Sequence, residues 1–373
     1  KMVHECVLFI NSFRSDSSAL GNVYDSDDPD VIDVWITAGR DQSTILKNMV
    51  DQMFTPETGI KANVKLIDAA AGANTVSSST AAVNAMLPAV ISGFGPDVAL
   101  NITQTEPVNY ALRNAVVDLK AEFGSEVDEV LSEYYPSSYE SYKFNGGLFA
   151  LPETQNYNVM FYRTDIMDQL GIDVNQINTW EDVIKILPVL QKNSMSFAIP
   201  SVERKINNMT NPDLANYYAQ LYQRGGTLYD EQAMQTTIGS PEGIEAFEFY
   251  TKLFTNYKLE KQYDFANRFR SGEMPIGVAD YSTFNTLAVF APEIKGLWNF
   301  ALMPGMAQED GSINRATQSW GTCSMMLRGA KDRNKTDKAW EFMKWWASSK
   351  VQATYASELE AVMGAAARYA TAN

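Results

Sequence analysis

The sequence predicts an α/β fold in which strands alternate with helices, spread over about two domains. The chain has 373 residues, and because a domain typically has roughly 150 residues, about two domains are expected. Apolar runs typical of buried strands alternate with stretches of helical periodicity between positions 31 and 101. A second region of the same kind begins near position 179. This alternation favours parallel strands that are joined by right-handed crossovers.

Three strands and two helices are predicted in the first region. The strands are expected at 31–37, 62–68 and 96–101, and the helices at 43–54 and 80–93, with a kink at Pro88. The helix over 43–54 carries its apolar residues on one face, namely Leu46, Met49, Val50 and Met53. Ligands of parallel α/β sheets lie beyond the carboxyl ends of the strands. The polar segments 37–42 and 101–106 follow two such ends and are therefore candidate binding segments.

The second region begins with a well-marked helix start. Thr179 is a favourable N-cap, and Asp182 can complete a capping box in place of the usual Glu or Gln. Further strands are predicted at 197–200, 274–284 and 321–327, and further helices at 213–224, 241–256 and 336–349. The strand over 274–284 is expected to lead into a polar and aromatic turn. The last helix has an apolar stripe of Ala339, Phe342, Met343 and Trp346.

Composition and charge exclude several classes of protein. With 45% hydrophobic and 20% charged residues, the chain is typical of a globular protein, and it has no run of 18 apolar residues that could span a membrane. The net charge of −15 argues against a nucleic-acid partner, which would require clusters of Lys and Arg. Cys6 and Cys323 form no metal or redox motif, and the single histidine, His4, excludes a histidine-based triad.

Residues 1–30 do not follow the alternating pattern of the rest of the chain. Positions 24–30 form an acidic, turn-rich linker, in which a calcium site is a weaker alternative because the Gly and Glu of an EF-hand loop are missing. We expect the segment before this linker to pack on the first domain as an added element. We also expect that the intact protein extends further upstream.

The stretch NGGLFALPETQNYNVMFYRTD, at positions 145–165, carries polar residues within an apolar and aromatic run. A buried strand should be continuously apolar, and a half-buried strand should alternate. The polar residues at 153–156 fit neither pattern. They indicate either an ordinary exposed turn or a crossover at which the backbone passes a ligand.

Five segments of the chain resemble one known family when they are taken in order. They are GFGPDVAL, the run from YKFNGGLFALP to NVMFYRTDIMDQLGI, TWEDV, FRSGEMPIGVADYS and DKAWEFMKWWASSKVQ. Together they resemble the extracellular solute-binding proteins of carbohydrate ABC importers, the group that includes maltose-binding protein. The resemblance covers about 31 to 355. It departs from the family at the first 30 residues and at the C-terminal segment EAVMGAAARYATAN.

The resemblance implies a two-lobed periplasmic-binding-protein fold in which each lobe is a mainly parallel sheet flanked by helices, with hinge crossovers. It divides the chain into an N-terminal extension at 1–30, a first lobe at 31–155 plus about 319–350, and a second lobe at 156–318 plus about 351–373. It implies capture of a carbohydrate, most simply an oligosaccharide, in an interlobe cleft and delivery to the membrane permease of an ABC transporter. No enzyme activity and no cofactor are implied. A monomer outside the cell or in the periplasm, anchored through a segment upstream of residue 1, is expected.

The same resemblance assigns candidate ligand contacts. Positions 153–158 would be the first hinge crossing, with Glu153, Thr154, Gln155, Asn156 and Tyr157 lining the cleft. Arg40 and Asp41 follow the first strand, and Gln104 follows the third. A helix-capping role for Asp41 and a surface-loop position for Gln104 remain alternatives.

Aromatic residues at strand ends and loops are further candidates, because sugars stack their C–H faces on aromatic rings. These candidates are Tyr281 with its neighbour Asp280, Trp298, and Trp320 with Gly321. Trp298 could instead belong to a strand, and Trp320 could belong to a core. The other tryptophans fall within strand or helix patterns and are predicted to pack in cores: Trp35, Trp180, Trp340, Trp345 and Trp346.

Two other functions remain as alternatives at this point. A glycoside hydrolase would use carboxylates such as Glu153 and Asp280, one of them with a raised pKa. A ferric-iron carrier would use phenolates of the pairs Tyr134–Tyr135 and Tyr217–Tyr218, although neither region contains a histidine.

Overall fold

The structure is a computed structural model that describes residues 20–26, 28–67, 86–200, 204–206, 209–211, 214–230, 235–368 and 370–373. His4, Cys6 and residues 80–85 of the helix predicted at 80–93 lie outside these residues, whereas residues 86–91 are helical as predicted. The chain divides into two compact units. Unit 1 consists of Lys1–Gln155 and Gly321–Asn373, and unit 2 consists of Asn156–Trp320. No helix of the described ranges has both the length and the apolar character that crossing a membrane requires.

The strands have between two and eight residues. In chain order they are β1 Val31–Ile36, β2 Lys61–Leu66, β3 Val98–Thr103, β4 Lys143–Phe144, β5 Gly147–Leu148, β6 Leu151–Pro152, β7 Asn156–Arg163, β8 Phe197–Ala198, β9 Arg204–Ile206, β10 Met209–Asn211, β11 Ile276–Asp280, β12 Trp298–Ala301, β13 Met306–Ala307, β14 Ile313–Asn314, β15 Ser319–Trp320 and β16 Thr322–Met326.

The helices lie between the strands and after the last of them. They are α1 Arg40–Met49, α2 Thr55–Thr58, α3 Glu106–Ala111, α4 Leu119–Phe123, α5 Ser125–Leu131, α6 Thr164–Leu170, α7 Trp180–Lys192, α8 Ala215–Gln223, α9 Pro241–Thr255, α10 Phe265–Ser271, α11 Thr283–Phe290, α12 Arg328–Asp332, α13 Thr336–Ala347 and α14 Ser349–Met363. A π-helical turn, Val50–Phe54, joins α1 to α2.

The sheet of unit 1 has the strand order β2-β1-β3-β16-β6. Strands β1, β2 and β3 pair in parallel, as the alternating pattern predicts. Strand β16, however, runs antiparallel to both β3 and β6. The sheet is therefore mixed rather than mainly parallel, because β16 belongs to the segment that re-enters unit 1 at Gly321 and pairs with β3 in the opposite direction.

Helix α13 packs on the core of unit 1 through the stripe that the sequence predicts. Ala339, Phe342, Met343 and Trp346 are all buried. Phe342 packs edge-on against Phe54, with ring centroids 5.1 Å apart. Burial of these rings contributes roughly 1.5–3 kcal/mol each to the stability of the fold.

The C-terminal segment corrects one predicted domain boundary. We predicted that residues 351–373 belong to the second lobe, but they belong to unit 1. Val351, Tyr355 and Leu359 of α14 are buried in the core of that unit. The Tyr355 ring meets the Trp346 ring at a centroid distance of 5.0 Å. The apolar face of α14 therefore joins the core that α13 already lines.

Unit 2 has a sheet with the strand order β12-β7-β11-β8. Its longest strand, β7, runs antiparallel to both β11 and β12, and only β11 and β8 pair in parallel. This corrects the expectation of a mainly parallel second sheet. The two neighbours of β7, β11 and β12, run in the opposite direction to it. The alternation of strands and helices along the chain did not indicate this direction.

Helix α7 of unit 2 begins as predicted. The Thr179 side chain accepts a hydrogen bond from the Asp182 backbone N–H, and the Asp182 carboxylate accepts one from the Thr179 N–H at 3.0 Å. Trp180 follows the cap and is fully buried, with its indole N–H donating to Gln223 Oε1 at 2.9 Å. The capping box and this buried ring together fix the first turn of the helix.

Candidate ligand-binding site

Two stacked tyrosines form the most conspicuous aromatic feature among the candidate residues of unit 2. Tyr157 is the second residue of β7, and Tyr281 directly follows β11. The Tyr281 backbone N–H donates to the Tyr157 carbonyl at 2.9 Å, so the antiparallel register brings the two side chains together. Their ring centroids are 5.8 Å apart and their planes differ by 12°. Tyr157 is 38% exposed, so the pair is accessible from solvent.

Two phenylalanines that the sequence did not single out support this pair. Phe284 stacks on Tyr281 with centroids 6.2 Å apart, and Phe300 meets Tyr281 edge-on at 5.5 Å. Trp298 packs against Phe284 at 5.4 Å and against Phe161 at 5.9 Å. Trp298 thus lies in β12 and supports the aromatic cluster from the side of the core, as the strand alternative for this residue predicts.

Polar groups lie next to the tyrosine pair. Asp280 is half-buried at the end of β11 and accepts a hydrogen bond from the Ser282 hydroxyl. Asn158, which belongs to the predicted crossing at 153–158 but was not named as a contact, lies opposite Asp280 in the β7–β11 register and is buried. A carboxylate and an amide beside aromatic rings can both orient hydroxyl groups and present an apolar surface.

Trp320 lies at the N-terminal end of β7, next to the position of Tyr157. Strand β15 pairs antiparallel with β7, placing Trp320 opposite Asn156 and Ser319 opposite Tyr157. Trp320 and Asn156 are both half-buried. The structure therefore brings Asn156, Tyr157 and Trp320 to one end of unit 2, although they are far apart in the sequence.

Glu153 occupies a different environment from the one that its sequence pattern suggests. Its side chain is 3% exposed within unit 1. One carboxylate oxygen accepts from the Trp346 indole N–H at 2.6 Å, and the other accepts from the Asn101 backbone N–H at 2.7 Å. Burial raises the pKa of Glu153 to about 7, although these donors favour the charged form. The structure thus corrects the prediction for Glu153, because both oxygens are engaged inside the unit.

Thr154 and Gly321 lie side by side where the chain leaves and re-enters unit 1. The Thr154 and Thr322 hydroxyl oxygens are 2.9 Å apart, and the Thr322 backbone N–H donates to Thr154 Oγ1 at 3.0 Å. A Cβ at Gly321 would lie 1.9 Å from the Thr154 carbonyl oxygen, so only glycine fits this approach. The Gln104 backbone N–H donates to the Gly321 carbonyl at 3.3 Å. Gln155, like Gln104, is half-buried.

Arg40 and Asp41 are the first two residues of α1, and both are exposed. Gly39 is the N-cap, and its backbone N–H donates to Gln42 Oε1 at 2.8 Å. Gln42 therefore makes the side-chain capping bond that we considered for Asp41. Arg40 and Asp41 thus lie beyond the carboxyl end of β1, where the fold class predicts ligand contacts.

Asn101 lies at this edge as the first residue of the candidate segment 101–106, although it was not named as an individual contact. It has φ of 57°, an uncommon conformation for a residue other than glycine. Its Nδ2 donates to the Thr37 carbonyl at 2.5 Å, and the Thr37 hydroxyl donates to the Asn101 carbonyl at 2.5 Å. These bonds join β1 to β3. A single Asn inside the apolar segment VALNIT was the available indication.

The iron alternative finds no support in the tyrosine pairs. The Tyr134 hydroxyl donates to the Ala347 carbonyl at 3.1 Å, and burial raises the pKa of Tyr134. Tyr217 is also buried, with its pKa raised by burial. Both phenols therefore favour the protonated form. Within the described ranges, no three or more His, Cys, Asp or Glu side chains cluster as metal ligands.

Comparisons with known proteins agree with this architecture. The sugar-binding protein MalE of Xanthomonas citri has a TM-score of 0.70 at 15% identity, covering 91% of this chain and 79% of that chain. The cyclic alpha-maltosyl-1,6-maltose binding protein of Arthrobacter globiformis has a TM-score of 0.66 at 15% identity, covering 88% of this chain and 78% of that chain. At these identities the likeness shows the fold, which confirms the predicted two-lobed α/β class.

Sequence comparisons give the family. The arabinooligosaccharide-binding protein of Halalkalibacterium halodurans is 23% identical over 133 residues, which are 36% of this chain. The match covers 28% of that relative's own length. Residues 53–367 match the family model described as bacterial extracellular solute-binding protein. That match spans most of the sequence, so this chain belongs to the family of bacterial extracellular solute-binding proteins.

Proposed function

We propose that this protein binds a carbohydrate outside the cell and delivers it to the permease of an ABC importer. The observation that carries the proposal is the stacked pair Tyr157–Tyr281, which is accessible and has Asp280 beside it. Family membership gives the transport context. We propose a monomer that is anchored at the cell surface, with the permease as its protein partner.

The chemistry of sugars favours this kind of surface. A pyranose or furanose ring exposes C–H groups on its faces, which pack on aromatic rings, and hydroxyl groups on its edges, which hydrogen-bond to carboxylates and amides. Tyr157, Tyr281 and Trp320 supply the rings, and Asp280 and Asn156 supply the polar groups. Arg40, Asp41, Gln104, Gln155 and the backbone at Thr154 and Gly321 remain proposed contacts.

The class of ligand that we propose is a neutral oligosaccharide. The curated relative is an arabinooligosaccharide-binding protein, and the two structural neighbours named above are sugar-binding and cyclic alpha-maltosyl-1,6-maltose binding proteins. An extended ligand also suits the aromatic cluster, because Phe284 continues the stack that Tyr157 and Tyr281 begin. A ligand of several sugar units can cover more of this aromatic surface than a single unit can.

A glycoside hydrolase is less consistent with the described residues. Such enzymes need a general acid and a second carboxyl group at a defined separation around the scissile bond. Glu153, the candidate acid, has its two oxygens occupied by Trp346 and Asn101. The raised pKa of Glu153 therefore reflects burial within the fold.

The experiment is a thermal-shift screen against arabino-, malto-, xylo- and galacto-oligosaccharides of two to six units. A cognate sugar should raise Tm, because a ligand that binds only the native state stabilises it by mass action. Each sugar is recovered afterwards and sized by chromatography. Stabilisation with recovery of intact sugar supports the proposal. Recovery of shortened products would support the hydrolase instead.

A further inference from the structure

Unit 1 contains a cavity of about 460 Å³ on one face of its sheet. Strands β1 and β2 pair in parallel with Asp33 opposite Asn63 and Trp35 opposite Lys65. These four side chains therefore project from the same face. All of them line the cavity, and its volume lies within the range of ordinary small-ligand sites.

The cavity is distinct from the candidate site described above. Gly93 and Gly95 line it and precede β3, which begins at Val98. The cavity thus lies toward the amino end of β3. Arg40 and Gln104, in contrast, follow the carboxyl ends of β1 and β3.

Asn63 supplies the observation that points to a ligand. Its side chain is 6% exposed, and its Nδ2 points to the Tyr24 carbonyl at 3.1 Å, Ser26 Oγ at 3.3 Å and Asp33 Oδ1 at 3.4 Å. These acceptors fix the orientation of the amide. Asn63 Oδ1 then has no hydrogen-bond partner among the described residues. A buried acceptor without a donor is unfavourable, so a ligand with a hydroxyl or N–H group is favoured there.

The carboxylate of Asp33 adds a second acceptor beside Asn63. The Ser26 hydroxyl donates to Asp33 Oδ1 at 2.8 Å. Burial nevertheless raises the pKa of Asp33, and the nearby Asp97 charge acts in the same direction. The hydrogen bonds within the chain thus do not fully compensate for the loss of hydration at Asp33, and a donor from a ligand would stabilise it.

Charged groups of both signs lie around the cavity, which favours a neutral ligand. Arg333 binds Asp97 with its guanidinium at 2.7 Å, and the Lys335 ammonium lies close enough to lower the pKa of Asp33. Lys65 Nζ lies 5.3 Å from the centroid of the Trp35 ring. A cationic ligand would meet this ammonium, and an anionic ligand would meet Asp33.

Aromatic groups provide the apolar part of the cavity. Trp35, Tyr24 and Phe94 line the cavity. Trp35 and Tyr24 are half-buried, and Phe94 is 82% exposed. Amphipathic rings of this kind suit the C–H groups of a polyol. We propose that this cavity is a second binding site, which takes a small neutral polyol such as a single monosaccharide through Asn63 Oδ1, Asp33 and the Trp35 ring.

The test uses the full chain with 5-fluorotryptophan in place of tryptophan. The Trp35 ¹⁹F resonance is assigned by its absence from Trp35→Phe. The protein is titrated with D-glucose and myo-inositol as neutral probes, with choline as the cation and with inorganic phosphate as the anion. A neutral polyol should shift the Trp35 resonance in a saturable manner, whereas choline and phosphate should not.

Variants then locate the site. Asn63→Leu should weaken the affinity of the neutral probe at least tenfold, and Asp33→Asn should weaken it at least threefold, so either variant serves if the other fails to fold. Tyr281→Ala should leave the Trp35 shift unchanged, which separates this site from the proposed oligosaccharide site. Absence of a saturable Trp35 shift with both polyols overturns the inference. The inference is also overturned if both variants bind the neutral probe with the affinity of the unsubstituted protein, or if only choline or phosphate shifts the Trp35 resonance.

Discussion

The rings of Tyr157 and Tyr281 stack at a centroid distance of 5.8 Å, and a backbone hydrogen bond of 2.9 Å joins the same two residues. The stack therefore depends on the β7–β11 register rather than on side-chain packing alone. A one-residue slip would separate the rings and turn them to opposite faces. The fold itself thus preorganises this aromatic surface.

Tyr281→Ala should weaken oligosaccharide binding at least tenfold. Removing the ring deletes an aromatic contact, which contributes about 0.5–1.5 kcal/mol beyond its area, and also the burial of apolar area. Tenfold in affinity corresponds to about 1.4 kcal/mol. Tyr281→Phe should retain most of the affinity if the ring acts as a stacking platform. Calorimetric titration of both variants, with Tyr135→Ala as an exposed-tyrosine control, measures the effect.

Trp320→Ala should also reduce affinity at least tenfold while the protein stays folded. The side chain is half-buried at the end of β7, and its backbone pairs with Asn156 in the β-ladder, which the substitution leaves in place. If Trp320 were a core residue instead, the loss would be about 3–5 kcal/mol of unfolding free energy. Urea unfolding and calorimetry on the same variant distinguish these outcomes. A stable protein with unchanged affinity would contradict the assignment of Trp320 to the site.

Gly321→Ala should destabilise unit 1. The added Cβ would lie 1.9 Å from the Thr154 carbonyl oxygen, and because that atom belongs to the backbone, the local chain must shift. Overpacking of this kind costs about 1–3 kcal/mol. Gly239→Ala is the matched control, since a Cβ there has no neighbour within 4 Å. Equal unfolding free energies for the two variants would show that the close approach at Gly321 is relaxed in solution.

Glu153→Gln should change how stability depends on pH. Burial raises the pKa of Glu153 from 4.5 to about 7, so the unfolded state releases this proton at lower pH than the native state does. The unfolding free energy of the unsubstituted protein should therefore fall as pH rises from about 4.5 to 7. One pKa unit corresponds to 1.36 kcal/mol, which gives a fall of about 3 kcal/mol.

Denaturant unfolding at several pH values measures this dependence. Glu153→Gln should lack the fall, because its amide does not titrate. Glu129→Gln, which removes an exposed carboxylate, should follow the unsubstituted protein. Parallel curves for all three proteins would show that Glu153 titrates alike in the folded and unfolded states.

Features of the fold that depend on local sequence could be predicted. The capping box of Thr179 and Asp182 involves neighbouring residues, and the apolar stripe ending at Trp346 follows from helical periodicity. The direction of the strands beside β7 could not be predicted, because it depends on partners more than a hundred residues away. Nor could periodicity show which core receives α14, since Val351 and Tyr355 would suit either unit.

The candidate site could also be predicted only in part, because its residues come together through contacts between distant parts of the chain. Tyr157 was named as part of the hinge crossing that the resemblance implies, and Tyr281 from its position at a strand end, but their contact depends on a strand register that the sequence alone does not show. Glu153 was predicted to line the cleft, because a carboxylate in an apolar run ordinarily indicates an exposed position. Its burial requires the donors of Trp346 and Asn101, which only the tertiary structure brings together. Asn101 was not distinguished from the rest of the segment 101–106, because its positive φ has no counterpart in a hydrophobicity pattern.

The most direct test of the account is calorimetric titration of the full chain with the oligosaccharide that the thermal screen identifies, followed by sizing of the recovered sugar. We expect one tight site per chain, at least tenfold weaker binding in Tyr281→Ala and recovery of the sugar at its original length. Binding of equal strength in Tyr281→Ala would contradict the assignment of the site. No measurable binding by any sugar of the panel, or recovery of shortened products, would contradict the proposed function itself.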